Sequence, residues 1–164
     1  MGAVYSVTMQ NQTIIASSDM VIIRTAAAIG TRASNIRILR AWCSQNITET
    51  SDQLGILLGL QAAAFGTYTA TTPTPHVLGG AASGITGGTA GAAATAGTDA
   101  SANAAGTKTP LIYDGFNNLN GWLWVPTPEE RIIVPVDTAI VLAMVGTATT
   151  LTNWNAGITY EELN

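Results

Sequence analysis

Hydrophobic alternation with a period of two, strand-length runs closed by turn residues, and no long helical pattern predict an all-β chain, a β-sandwich or jelly-roll-like fold. Tyr5, Val7 and Met9 alternate with Ser6 and Thr8, as in a half-buried strand. Thr13 to Ala16 and Met20 to Thr25 are two further β-branched runs, parted by the turn-prone Ser17-Ser18-Asp19. Asn35 to Cys43 alternates again. Strict alternation sets Ile36, Ile38 and Trp42 on one face with Arg40 among them, and Arg37 on the other. Leu54, Ile56, Leu58 and Leu60 also share a face. A helix there would carry Gly55 and Gly59 at about 1 kcal/mol each, so a strand is expected.

The second half offers strands at Leu111 to Tyr113, Gly121 to Val125, Ile132 to Val134, Thr138 to Val145 and Ile158 to Glu162. Pro126, Pro128 and Pro135 bracket the run at Ile132 to Val134. Proline donates no ladder hydrogen bond, so this run belongs at a sheet edge. Thr127 is placed to cap a short turn around Pro128 and Glu130, and Arg131 to pair with a carboxylate.

With 164 residues the chain is expected to be a single domain, residues 1–164. A low-complexity insertion interrupts it at about 66–109, where Gly, Ala, Thr and Ser dominate and Pro73, Pro75, His76, Asp99 and Lys108 stand out. Such small side chains bury little apolar area against the entropy of ordering them. The stretch therefore reads either as a flexible surface loop or as an arm that orders against a neighbouring subunit.

Only 10% of the residues are charged, against roughly 25% in an average domain. A neutral surface of this kind favours association with other protein. The net charge of -4 and six basic residues argue against nucleic-acid binding, which needs clustered Lys and Arg. Arg32, Arg37 and Arg40 are near in sequence, but alternation separates Arg37 from Arg40. The longest apolar run, Leu54 to Phe65, is broken by Gly55, Gly59 and Gln61 and is too short to span a bilayer. No signal peptide is expected at the N-terminus.

Catalytic and metal chemistry finds little support. Cys43 and His76 are single and far apart, which leaves no internal disulfide and no transition-metal cluster. Cys43 follows Trp42 in an apolar run and reads as a buried thiol. His76 would have to be the base of any Ser-His-Asp site, yet nothing nearby promises an orienting carboxylate. Glu129-Glu130 and Glu161-Glu162 are adjacent pairs whose members point to opposite faces of a strand. The myristoylation-like start Met1-Gly2, the sequons at Asn11 and Asn46, and the glycines at Gly79-Gly80 and Gly87-Gly88 lack the context their chemistry needs. No catalytic residue, cofactor or metal is expected.

Two segments carry a resemblance. The opening strand Val4-Tyr5-Ser6-Val7-Thr8 and the stretch Gly121-Trp122-Leu123-Trp124-Val125-Pro126-Thr127-Pro128-Glu129-Glu130-Arg131 resemble small virion-associated proteins of tailed bacteriophages and prophages. The ending on Tyr160-Glu161-Glu162 is similar to theirs as well, whereas the middle of the chain departs from them. The resemblance implies a capsid decoration or cement protein on the virion surface, made in the bacterial host cytoplasm. Its partners would be the major capsid protein and copies of itself, as a trimer, with no nucleic acid and no membrane. On that reading the candidate subunit-interface residues are Pro73, Pro75, His76, Ile85, Ile132, Ile133 and Val134. The alternative is a tail or fibre module that binds a host surface glycan, with Trp154 as the stacking residue.

Overall fold

The computed structural model describes residues 2–25, 35–46, 50–62, 64–87, 95–103 and 106–163. Among these, thirteen strands follow one another: β1 (Val4–Gln12), β2 (Asp19–Arg24), β3 (Asn35–Gln45), β4 (Gln53–Gln61), β5 (Thr67–Ala70), β6 (Thr74–Pro75), β7 (Thr86–Gly87), β8 (Thr95–Ala102), β9 (Lys108–Asn117), β10 (Trp122–Trp124), β11 (Ile133–Val134), β12 (Ala139–Val145) and β13 (Trp154–Leu163). A single 3-10 turn, Pro128–Glu130, lies between β10 and β11. Proline at its start fits the expected turn. The Glu130 carboxylate accepts both the Thr127 N–H (3.4 Å) and the Thr127 hydroxyl (3.1 Å).

The strands form two sheets. The first runs β10-β3-β13-β1-β6, with β11 also on β3, and the second runs β5-β8-β2-β12-β4-β9, with β7 on β8. The pairing is nested: β1 with β13, β2 with β12, β3 with β10 and β4 with β9, all antiparallel. Successive pairs fall in alternate sheets, so these eight strands are one long hairpin rolled into a jelly-roll β-sandwich. β5 to β8 are inserted between β4 and β9, at the tip of that hairpin.

Alternation explains the core. Val7, Met9, Ile36, Ile38, Ile158 and Tyr160 from the first sheet meet Leu54, Ile56, Leu58, Ile140, Leu142 and Met144 from the second. The intervening residues of the second sheet form another buried cluster. Ile22, Leu57, Val141 and Ala143 gather with Tyr68 and Ala100 on its other face. Both faces of β2 and β12 are therefore apolar, which is why these strands read as unbroken hydrophobic runs.

Three expectations change. Thr13 to Ala16 is not a strand, although Ile14 is buried and its N–H donates to Leu151 O at 2.8 Å. The stretch 66–109 is an insertion, but in part an ordered one: β5 and β8 extend the second sheet beyond β2, and Thr95, Ala96, Thr98 and Ala100 are buried. Small side chains bury little area each but let strands approach closely; a Cβ on Gly97 would sit 2.7 Å from the Tyr68 Cβ. Finally, β3 carries a bulge. Arg40 pairs with Thr159 but Ile38 pairs with Tyr160, so Leu39 is an extra residue. Beyond it the faces exchange: Ala41 and Cys43 turn inward, and Arg40 and Trp42 turn outward. Arg37 and Arg40 thus share the outer face, contrary to strict alternation. Met1, Arg32, Thr48 and Gly88 lie outside the described residues.

Candidate functional site

The most distinctive surface is the β10/β11 edge of the first sheet. β10 covers β3 at Ala41 to Cys43, and β11 covers it at Ile36 and Arg37. Their free sides face solvent. Leu123 is 63% exposed and Val125 62%, and Ile133, Leu119 and Val136 are exposed as well. Five large apolar side chains from the single stretch 119–136 thus remain in water. Scattered exposed apolar residues are ordinary, but this number from one stretch makes the edge the candidate contact surface.

Of the three expected residues on this edge, only Ile133 points outward. Val134 is fully buried beside Ile36, and Ile132 is partly buried, its carbonyl accepting the Ile38 N–H at 2.8 Å. Val134 is therefore a core residue rather than an interface residue, because alternation along β11 sends its neighbour to solvent. Sequence inspection missed Leu119, Leu123, Val125 and Val136. Their apolar character was legible, but only the fold sets Leu123 on the outer sheet face beside Trp42 and leaves Leu119, Val125 and Val136 in exposed connections outside β10 and β11.

The remaining interface candidates divide in the same way. Pro73 and Ile85 are buried, Ile85 within the inter-sheet core, so neither is available to a partner. Pro75 pairs with Tyr5 in β6, and His76 is exposed, its N–H bonded to Val4 O at 2.9 Å. Glu162 anchors the loop that follows: its carboxylate accepts the Gly84 N–H at 2.9 Å and the Ser83 hydroxyl, while the Tyr5 hydroxyl donates to Ala81 O at 3.1 Å. Pro75 and His76 line an apolar pocket of about 650 Å³ together with Val4, Leu39 and Arg131. Val77 lines it too, and both Val77 and Leu78 are exposed to solvent.

Polar groups around this pocket are mostly engaged. Glu161 accepts the Gly2 N–H at 3.0 Å and holds Arg37 at 3.5 Å. His76 Nε2 lies 2.7 Å from Ser6 Oγ, which in turn lies 2.8 Å from Thr159 Oγ1. That serine–histidine contact has nucleophile–base spacing, but among the described residues no carboxylate hydrogen-bonds the ring. Arg131 has no ion pair among the described residues, and its Nε is buried without an acceptor, contrary to the expected carboxylate partner.

Trp154 is not a stacking platform. It is fully buried, donates Nε1–H to Thr150 O at 3.0 Å, and meets Phe116 edge-on at 6.4 Å. A sugar cannot reach its face, because β13 is the central strand of the first sheet and points Trp154 between the sheets. Trp122 is also buried, its Nε1–H held by Asp114 at 3.2 Å, and Trp124 packs against the core. Flanking the exposed Leu123 on β10, these two tryptophans turn to the interior face.

Two buried polar groups matter for stability. Asp19, 1% exposed in its side chain, is held by Lys108 Nζ at 2.9 Å and by the Tyr68 hydroxyl at 3.2 Å, tying β2 to β9 and β5. Burial and the neighbouring Asp19 charge raise the Tyr68 hydroxyl well above its ordinary range. Cys43 is buried, as expected, and burial pushes its thiol up to about 12. No family model matches the chain, and no curated protein or solved structure matches it.

Proposed function

We propose that this chain is a non-enzymatic structural protein of a bacteriophage virion, a capsid cement or decoration protein that binds at capsomer junctions. The observation that carries the proposal is the apolar β10/β11 edge, with Leu123, Val125 and Ile133 exposed along one side of a rigid jelly roll. The resemblance of the Gly121 to Arg131 stretch to virion-associated proteins falls on this same edge.

The mechanism is geometric. Docking removes apolar side chains from water at about 25 cal/mol per Å², and a surface with few charges adds little desolvation cost. β10 and β11 span only three and two residues, so side-chain burial, rather than addition of a long strand, drives the contact. The partners are the major capsid protein and further copies of this chain, in a trimer on the particle surface.

Co-sedimentation of the purified protein with undecorated phage heads tests this. The double variant Val125→Glu, Ile133→Lys, which keeps the buried Val134, should remain folded but lose head binding by at least about a hundredfold. Such a loss, about 3 kcal/mol, fits two buried apolar anchors replaced by charges. Unchanged head binding by the folded variant would sink the assignment of this edge. Binding by neither protein would sink the decoration role.

A further inference from the structure

We propose that the shallow groove beside Trp42, on the outer face of the first sheet, binds a carboxylate-bearing saccharide. The site exists because of the bulge at Leu39, which turns Arg40 and Trp42 to the surface. In cross-strand register, Trp42 lies between Leu123 and Gly157, and Thr8 follows on β1. A Cβ on Gly157 would fall 2.7 to 2.9 Å from Trp42 Nε1, Cε2 and Cζ2. The indole therefore lies down over the bare backbone of Gly157 instead of standing off the sheet.

A groove of about 370 Å³ runs beside this ring, lined by Arg40, Trp42, Ser44, Asn120, Gly121 and Leu123. Four of these residues carry polar groups with no engagement inside the fold. The Arg40 guanidinium, Trp42 Nε1–H, Ser44 hydroxyl and Asn120 amide make no side-chain hydrogen bond or ion pair among the described residues, and none is sealed from solvent. Elsewhere some such groups are engaged, as Trp122 and Trp154 donate their Nε1–H and Arg24 and Arg37 hold carboxylates, while Trp124 and Arg131 make no such bond among the described residues.

An aromatic wall with open hydroxyl, amide and indole donors suits a sugar, which offers C–H faces to the ring and hydroxyls to the polar groups. The unpaired guanidinium adds a preference for a carboxylate, which it can grip with two parallel hydrogen bonds. One arginine in a chain of net charge -4 is too little for a polyphosphate. The competing role for Trp42 is to shield Gly157 and stiffen the sheet, as aromatic residues do beside strand glycines. That role needs the ring but not Arg40, Ser44 or Asn120.

The test titrates the full chain with oligosaccharides containing uronic or sialic acid, and with their carboxyl-reduced counterparts, followed by calorimetry and tryptophan fluorescence. The acidic sugars should bind at least about tenfold more tightly than the reduced ones. Arg40→Gln, at an exposed position, should erase that preference while leaving thermal unfolding unchanged. Trp42→Phe should weaken binding of both sugar classes, and Asn120→Ala should do the same without touching the sheet. Absence of binding to any of these sugars at millimolar concentration would overturn the proposal. So would equal affinity in Arg40→Gln and the parent chain. A variant set that changed sedimentation mass rather than sugar binding would also overturn it, and would assign the face to contact between subunits.

Discussion

At the scale of single residues, Gly157 and Asp99 set local limits. Gly157 lets the Trp42 ring lie against the sheet, and an added Cβ would meet three ring atoms inside 3 Å. Gly157→Ala should lift the ring and cost about 1–3 kcal/mol in urea unfolding, with Trp42 emission moving toward that of solvated indole. Asp99 holds a left-handed φ of 51° within β8, and burial raises its carboxyl above the ordinary 3.8. From the ordinary carboxylate pKa up to the raised one, the native state keeps a proton that the unfolded chain has released. Stability therefore falls as pH rises through that window, and the deficit is complete above it. Asp99→Asn suits the left-handed backbone and removes the charge. It should be more stable than the parent at pH 7, with the advantage shrinking in denaturant series taken toward acid pH. An advantage that stayed constant with pH would mean that the carboxyl is not the cause.

At the scale of elements, the insertion between β4 and β9 is more than a tether. β8 pairs with β2 through Val21, Ile22 and Ile23, and Ile85 and Ala96 join the inter-sheet core. Deleting residues 79–106 would leave the eight nested strands but bare the β2 edge. A flexible surface loop would leave a folded, soluble domain after that deletion. The pairing instead predicts a destabilised one, with its urea midpoint lowered and with concentration-dependent association through β2. Light scattering beside circular dichroism distinguishes the outcomes, since a monomeric deletion variant of parental stability would make β8 an ornament on the roll. The β10/β11 edge has a different character. Its two pieces are short and separated by Pro126 and Pro128, which limits strand addition and leaves side chains to make the contact.

At the scale of the whole molecule, the rolled hairpin joins the two ends of the sequence: Val4 pairs with Glu161, and β2 pairs with β12. Unfolding of the first sheet therefore cannot be confined to one hairpin. Cys43 reports on this, because it sits in β3 between Trp122 and Ala156 with 1% exposure and its pKa raised to about 12. The thiolate is the reactive form, so the native protein at pH 8 should resist a disulfide reagent. Labelling should accelerate with urea in step with global unfolding measured by circular dichroism. Fast labelling without denaturant would show instead that β10 peels from β3 independently. Because the thiol pKa is raised in the fold, stability should also decline as pH climbs above the ordinary thiol value of 9.0 toward 12.

Much of this architecture was legible in the residues themselves. Period-two alternation placed Tyr5, Val7 and Met9, and Leu54, Ile56 and Leu58, on inward faces, because a strand has only two faces and water selects between them. Proline spacing placed β11 at an edge for an equally local reason, the missing donor. Tertiary structure alone decided the rest. The bulge at Leu39 arises from how β3 meets β13, and it turned Trp42, which strict alternation places with Ile36 and Ile38, to the outer face. The small residues of β8 bury too little area to leave a hydrophobic signature, so their membership of the second sheet followed from the free edge that β2 offered. Sequence determined which side chains avoid water along each strand. The partner strands determined which of the others stayed exposed, because exposure belongs to the assembled sheet and not to the chain.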